Sequence, residues 1–121
     1  MDSGLYVVAT PIGNFGDMSQ RAVEVLQNAD LIAVEDTRHS QRLLQFFSID
    51  TPVMAYHDHS DERALHRSGS CLSEGGSVAL VSDAGTPLIS DPGYRLVRHA
   101  QDRGFAVRPV PGACAAIAAL S

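Results

Sequence analysis

Residues Val78 to Gly93 read VALVSDAGTPLISDPG, and the rest of the predicted fold is organised around this stretch. It begins with the apolar run Val78–Val81, which has the length and β-branched character of a strand buried on both faces of a parallel sheet. Turn-forming residues crowd the segment that follows, although its Leu88-Ile89 pair is too apolar for a solvated linker. A long loop at the carboxyl end of a buried parallel strand is where open α/β sheets bind ligands.

Apolar runs and amphipathic segments alternate along the rest of the chain. Further strands are predicted at Leu5–Thr10, Leu31–Glu35, Pro52–Tyr56 and Ala106–Val110, with Pro109 indicating a sheet edge or a strand end. Five strands that alternate with helices predict an α/β domain in which a parallel sheet lies between two helical layers.

The predicted helices have recognisable ends. The first spans Arg21–Asn28 with Ser19 as its N-cap, and the third is a polar helix that follows His57–Ser60 and ends near Leu72. The fourth spans Tyr94–Arg103 and is stopped by Gly104, and a last helix opens at Pro111-Gly112. The second helix is expected to turn four apolar side chains toward the sheet: Leu43, Leu44, Phe46 and Phe47.

Parallel strands bring every strand-to-helix loop to one edge of the sheet. Glycines at positions 13, 85 and 112 would let backbone amides approach a ligand there, which favours a nucleotide-like ligand over ordinary turns. The first loop is not GxGxxG and the chain has no GK[ST], which weakens the dinucleotide and ATP interpretations. Glu35 and Asp36 could bind ribose hydroxyls, a proton or a metal, or the segment could simply cap a helix through Thr37 or Asp36. His57 and His59 have the spacing of a metal pair, but no third ligand cluster accompanies them, so no metal is predicted.

Composition narrows the class of protein. At 121 residues the chain fits one domain, and its apolar end predicts that the natural protein continues. Nine basic residues, all arginine, against fourteen acidic ones give a net charge of -5, which argues against this domain alone holding a phosphate backbone. Cys71 and Cys114 lie far apart and predict neither a disulfide framework nor zinc. Without a signal peptide or a long apolar run, the chain is expected to be cytoplasmic and away from membranes.

Four segments together resemble the tetrapyrrole-methylase superfamily, and specifically its ribosomal RNA branch. They are LYVVATPIGNFGD at Leu5–Asp17, AVEDTRHS at Ala33–Ser40, VALVSDAGTPLISDPG at Val78–Gly93 and VPGACAAIAAL at Val110–Leu120. The resemblance implies a parallel sheet of order 3-2-4-1-5 and S-adenosylmethionine as the cofactor. It also implies a two-domain homodimer that methylates the ribose 2'-hydroxyl of a cytidine in the decoding region of 16S rRNA in the small ribosomal subunit. Residues 1–121 would then be the amino-terminal domain, with a carboxyl-terminal domain beyond this chain.

The resemblance also implies roles for particular residues. Cofactor contacts carry over to the first, central and last loops, at Ile12, Asp83, Ala84, Gly85, Thr86, Ile89, Cys114 and Ala115. Much of the superfamily has a GGDP-like sequence where this chain reads AGTP, which agrees with the ribosomal branch.

The residues that would assist the reaction are less narrowly defined. Glu35 and Asp36 are the favoured catalytic carboxylates, with His39, His57 and Asp83 as alternative bases. Arg38 could hold an RNA phosphate or a structural carboxylate. Two other functions stay open: methylation of a small molecule such as a tetrapyrrole, and a non-enzymatic nucleotide-binding or dimerisation module.

Overall fold

A computed structural model of the chain describes residues 1–9, 16, 18–35, 37–56, 61–82 and 91–110. Strands and helices alternate through these ranges. Their order and bounds are β1 Gly4–Ala9, α1 Gln20–Asn28, β2 Leu31–Val34, α2 Thr37–Phe46, β3 Val53–Ala55, α3 Asp61–Ser73, β4 Ser77–Ser82, α4 Asp91–Asp102 and β5 Val107–Val110. The helix predicted after Pro111 lies outside the described residues.

The five strands form one parallel sheet of order β3-β2-β4-β1-β5, which confirms the predicted fold class and strand order. Strand β4 lies at the centre, where Val81 is paired with Val8 of β1 on one side and with Val34 of β2 on the other. Strands β3 and β5 are the edges, so the prediction of an edge or strand end at Pro109 is also confirmed.

The connections place two helices on each face of the sheet. The chain moves from β1 to β2 and β3 in one direction through α1 and α2, and returns to β4 and β5 through α3 and α4. Parallel crossovers are almost always right-handed, so a reversal of direction moves the helices to the opposite face. The buried side chains divide accordingly, since Leu26 and Leu43 belong to one core cluster and Ala64 and Leu96 to the other.

Strand β4 is buried on both faces, as its continuous apolar sequence predicts. Its residues Val78, Ala79 and Leu80 are fully buried and Val81 is 3% exposed. Successive strand side chains point to opposite faces. Val78 and Leu80 therefore pack in the cluster with α3 and α4, and Ala79 and Val81 in the cluster with α1 and α2.

The residues predicted to begin and end helices have these roles in the structure. Ser19 is the N-cap of α1, and its Oγ accepts a hydrogen bond of 3.1 Å from the amide of Ala22. Gly75 and Gly104 follow α3 and α4 with φ angles of 82° and 79°, a conformation that is strained for residues with a Cβ.

One core prediction in α2 is wrong. Leu43 and Leu44 are buried and Phe47 packs against the core, but Phe46 is 62% exposed. Adjacent helical residues differ by about 100° in direction, so Leu44 and Phe46, two residues apart, point to nearly opposite sides. Phe46 instead stacks edge-on against Phe47, with ring centroids 4.9 Å apart.

Candidate functional site

All five strands end at one edge of the sheet, because all of them are parallel. The last strand residues are Ala9, Val34, Ala55, Ser82 and Val110. Most of the predicted site residues belong to the loops that leave this edge and lie outside the described residues: Ile12, Asp36, Asp83, Ala84, Gly85, Thr86, Ile89, Cys114 and Ala115. Glu35 is one of the predicted catalytic residues and is described. The structure therefore defines the frame of the site, by which we mean the strand ends at this edge and the helices that follow them.

The strand order predicts two crevices, one on each side of the carboxyl end of β4. Strands β1 and β2 flank β4, and the chain leaving them enters α1 and α2 on one face of the sheet. The chain leaving β4 enters α4 on the opposite face. Neighbouring strands whose connections depart to opposite faces leave a crevice between the two loops, and open α/β sheets bind ligands at such points.

The pairing of β4 ends earlier on its β2 side than on its β1 side. Pairing between β2 and β4 stops at Val34 and Val81, whereas β1 pairs with β4 one residue further, from Ala9 to Ser82. Glu35 is exposed immediately beyond the last pair. A carboxylate at this position can accept hydrogen bonds from hydroxyl groups or take up a proton.

Helix α2 begins beside this crevice and carries two further candidates. Thr37 is its first residue, and Arg38 in its first turn is exposed. His39 also belongs to α2. A cation in a first turn opposes the helix dipole, so the position of Arg38 is not explained by helix stability alone.

Tyr56 is a residue of this edge that the sequence analysis treated only as the end of a strand. It is 2% exposed, and its amide donates to the carbonyl oxygen of Val34 at 2.9 Å. Its hydroxyl lies 3.4 Å from the carbonyl oxygen of Val81 and donates to it. A tyrosine at the end of an otherwise aliphatic strand is the sequence signal that could have drawn attention to it.

The opposite edge of the sheet has a polar cluster of a different kind. A cavity of about 350 Å³ is lined by Asp30, Cys71, Glu74, Gly75 and Gly76. The Asp30 carboxylate accepts hydrogen bonds from the Ser77 amide at 2.9 Å and from the Ser77 hydroxyl at 3.3 Å. Burial and the nearby Asp30 and Glu74 raise the pKa of the Cys71 thiol. A thiol that holds its proton is a poor nucleophile, so Cys71 is not expected to be a reactive residue. The Asp30 carboxylate, through its two hydrogen bonds to Ser77, holds the start of β4.

Two kinds of feature are absent from the described ranges. Their histidine, cysteine, aspartate and glutamate side chains nowhere form a group of three that could hold a metal ion. Within the same ranges, every helix is too short or too polar to span a membrane.

The topology defines the class of this chain: a doubly wound α/β domain with a five-stranded parallel sheet and β4 as its central strand. The family model for tetrapyrrole (corrin/porphyrin) methylases matches residues 4–121, and the chain belongs to this family. S-adenosylmethionine is the methyl donor of the family, as the resemblance implied.

Relatives with curated names narrow the comparison. The chain is 57% identical over 117 residues to the ribosomal RNA small subunit methyltransferase I of Escherichia coli O157:H7. It is 60% identical over 117 residues to the protein of the same name from Pseudomonas aeruginosa. Each match covers 97% of this chain but only 41% and 42% of the two relatives, so the chain spans about two-fifths of their length.

Solved structures agree on the fold. A cobalt precorrin-4 methyltransferase superposes with a TM-score of 0.73 at 21% identity, over 89% of this chain and 45% of its own. The uroporphyrin-III-C-methyltransferase of Thermus thermophilus gives a TM-score of 0.68 at 19% identity, over 93% of this chain and 48% of its own. At these identities the likeness establishes the architecture alone.

The observed frame fits a cofactor of this kind. The strand order predicts a crevice on each side of β4, and β4 is the strand from which the longest predicted ligand loop leaves. Apolar residues form the strand ends beneath it, including Val34, Val81 and Val110, each at most 3% exposed. Side chains buried to this degree in the core are not accessible to a ligand, so contacts to S-adenosylmethionine would have to come from the loops that leave these strands.

Proposed function

We propose that the chain is the amino-terminal domain of an S-adenosylmethionine-dependent methyltransferase that modifies the ribose 2'-hydroxyl of a cytidine in the decoding region of 16S rRNA. The observation that carries the proposal is the match to two proteins named ribosomal RNA small subunit methyltransferase I, at 57% and 60% identity along 97% of the chain. The family model covers residues 4–121, a range that includes all four segments that carried the resemblance.

The cofactor would be held by the loops that leave the carboxyl edge. We assign the cradle to the loop after β4, with further contacts from the loops after β1 and β5. Support comes from the position of β4 between two predicted crevices and from the glycines in these loops, which let backbone amides approach closely. The proposed contacts are Ile12, Asp83, Ala84, Gly85, Thr86, Ile89, Cys114 and Ala115.

The reaction requires alignment more than side-chain chemistry. The cofactor supplies a methyl group on a positively charged sulfur, which is already an activated electrophile. The protein must hold the ribose hydroxyl in line with that methyl group, and such positioning contributes most of the acceleration. A base that takes the hydroxyl proton adds to it, and Glu35 or Asp36 at the end of β2 is proposed for this role.

The complete enzyme is proposed to be a cytoplasmic homodimer with a second domain. The net charge of -5 on this domain is consistent with most of the cationic surface for 16S rRNA being provided elsewhere. The second domain would close over the cofactor and supply the rest of its pocket.

A small tetrapyrrole is the alternative substrate, since the solved relatives of this fold include enzymes named for such substrates. The sequence of the central loop disfavours it, because residues 84–87 read AGTP in place of a GGDP-like sequence.

Ribose-methylation mapping tests the proposal directly. The complete gene is expressed in a bacterium from which its own small-subunit methyltransferase gene of this kind has been deleted, and 16S rRNA is mapped with and without the gene. Restoration of a single 2'-O-methyl group at a decoding-region cytidine is expected. An unchanged methylation pattern, with the protein present and folded, contradicts the proposal, and methylation of an added tetrapyrrole in its place supports the alternative.

A further inference from the structure

Tyr56 lies at the site edge of the sheet but is anchored in the core. Its amide donates to the carbonyl oxygen of Val34 at 2.9 Å, which ties the end of β3 to the end of β2. Its side chain packs in the core cluster on the α3 and α4 face and is 2% exposed. The residue is therefore held rigidly at both its backbone and its ring.

The hydroxyl of Tyr56 reaches across β2 to β4. It donates to the carbonyl oxygen of Val81 at 3.4 Å, in a buried environment. The side chains of Val34 and Val81 belong to the cluster on the opposite face, so at these positions the backbone of the sheet is accessible from the side of Tyr56. The Tyr56 side chain thus lies across the end of β2 and reaches the end of β4.

The bond falls at a structurally decisive position. Val81 is the last residue of β4 that is paired on both sides, because Ser82 is paired with Ala9 of β1 and β2 has already ended. The chain enters the central loop at Asp83, two residues later. A restraint on the Val81 carbonyl from the β2 side therefore acts on the end of β4, next to the start of this loop in the sequence.

The hydroxyl is not needed for packing. A phenylalanine at this position would fill nearly the same volume, and a buried hydroxyl costs free energy unless it is hydrogen-bonded. Binding sites require their supporting groups to be held within about 0.5 Å of the productive geometry. The Tyr56 hydroxyl is placed to give such support, because it contacts Val81, the last residue of β4 that is paired on both sides.

We propose that Tyr56 is a positioning residue, whose hydroxyl holds the end of β4 so that the loop beginning at Asp83 is set to bind S-adenosylmethionine. The identity of the ligand rests on the proposed function. The choice of Tyr56 rests on its contacts with the ends of β2 and β4. In this role Tyr56 acts through Val81.

The chain offers a matched control at the other edge of the sheet. Tyr6 is 1% exposed, and its hydroxyl donates to the carbonyl oxygen of Asp2 at 2.7 Å. Tyr6→Phe removes the same chemical group from an equally buried ring, but far from the carboxyl edge. A difference between Tyr56→Phe and Tyr6→Phe therefore reports position and not the general cost of losing a buried hydroxyl.

The experiment compares both variants with the unchanged complete protein. Calorimetry measures the Kd for S-adenosylmethionine, and steady-state methylation of 30S subunits measures the KM for the cofactor and for the subunit separately. The hydrogen bond is long, at 3.4 Å, so its loss predicts a rise of about two- to threefold in the cofactor Kd and KM of Tyr56→Phe. The subunit KM should be unchanged, and Tyr6→Phe should bind the cofactor as the unchanged protein does. Thermal unfolding of both variants gives their stability.

The outcomes separate this inference from the proposed function. If Tyr56→Phe keeps the cofactor Kd of the unchanged protein, or if Tyr6→Phe weakens binding equally, the positioning role is overturned. If the unchanged protein binds S-adenosylmethionine but leaves 30S subunits unmodified, the proposed substrate fails and the Kd comparison still decides the role of Tyr56. If the unchanged protein binds no S-adenosylmethionine, both proposals fail.

Discussion

Cys71 shows how a single residue takes its chemistry from its surroundings. Burial, and then the negative charges of Asp30 and Glu74, raise the pKa of its thiol, while Arg67 acts in the opposite direction. Because the pKa is raised in the folded state, Cys71 lowers the stability of the fold as the pH rises from the unfolded pKa through the folded pKa, and has no such effect below the unfolded pKa. At pH 8 the thiol should hold its proton and react slowly.

Removal of one neighbouring charge should make Cys71 more reactive. Glu74→Gln should increase the rate of alkylation by iodoacetamide at pH 8 and low salt by about twofold, as befits an exposed charge. Mass spectrometry of the peptide that contains Cys71 measures the rate. Glu62 is an exposed residue of α3, the helix that contains Cys71, but it does not contribute to the raised pKa of the thiol. Glu62→Gln should therefore leave the alkylation rate unchanged. Equal rates in Glu74→Gln and the unchanged protein would exclude an electrostatic contribution from Glu74.

At the scale of elements, helix α2 divides sharply into a face that carries stability and a face that does not. Leu43 is 1% exposed in the core, whereas Phe46 is 62% exposed on the same helix. Leu43→Ala should lower the free energy of unfolding by about 2–5 kcal/mol because it leaves a cavity. Phe46→Ala should lower it by less than about 1.5 kcal/mol, mainly through the lost edge-on contact with Phe47. Urea denaturation of both variants measures the difference, and equal losses would show that Phe46 supports the core.

Elements governed by local rules could be predicted from the sequence. The N-cap at Ser19, the stop at Gly104 and the burial of Val78–Val81 depend on residues within one turn or one strand, and all are as expected. Phe46 was misplaced because four clustered apolar residues suggested a wider buried face than one helix presents.

Contacts between distant parts of the chain could not be predicted in this way. The hydroxyl of Tyr56 meets a carbonyl 25 residues away, and the Asp30 carboxylate meets the Ser77 amide 47 residues away. Which strands become neighbours decides both contacts. Periodicity in the sequence gives the direction of a side chain but not the identity of the strand beside it.

At the scale of the whole molecule, strand order is the information that composition and periodicity do not contain. Alternating strands and helices predicted a parallel sheet, but many orders satisfy that pattern, and 3-2-4-1-5 came from the resemblance of four segments. This order creates the candidate site, since it places β4 between two strands whose connections leave on the other face. The fold and strand order were therefore predictable, the position of the site stays a prediction, and the contacts between distant strands could not be predicted.

The charge of the whole domain leads to a prediction about RNA. Sequence-independent RNA affinity depends on clustered cations, and here nine arginines are outnumbered by fourteen acidic residues. Residues 1–121, once a cooperative thermal transition shows that they fold alone, should bind a fluorescent decoding-region hairpin more weakly than about 100 μM at physiological ionic strength. Fluorescence anisotropy measures the affinity, with the complete protein as the positive control. Micromolar binding that weakens steeply with added salt would mean that this domain provides a cationic surface despite its net charge, and the RNA contacts would then have to be sought around its own arginines.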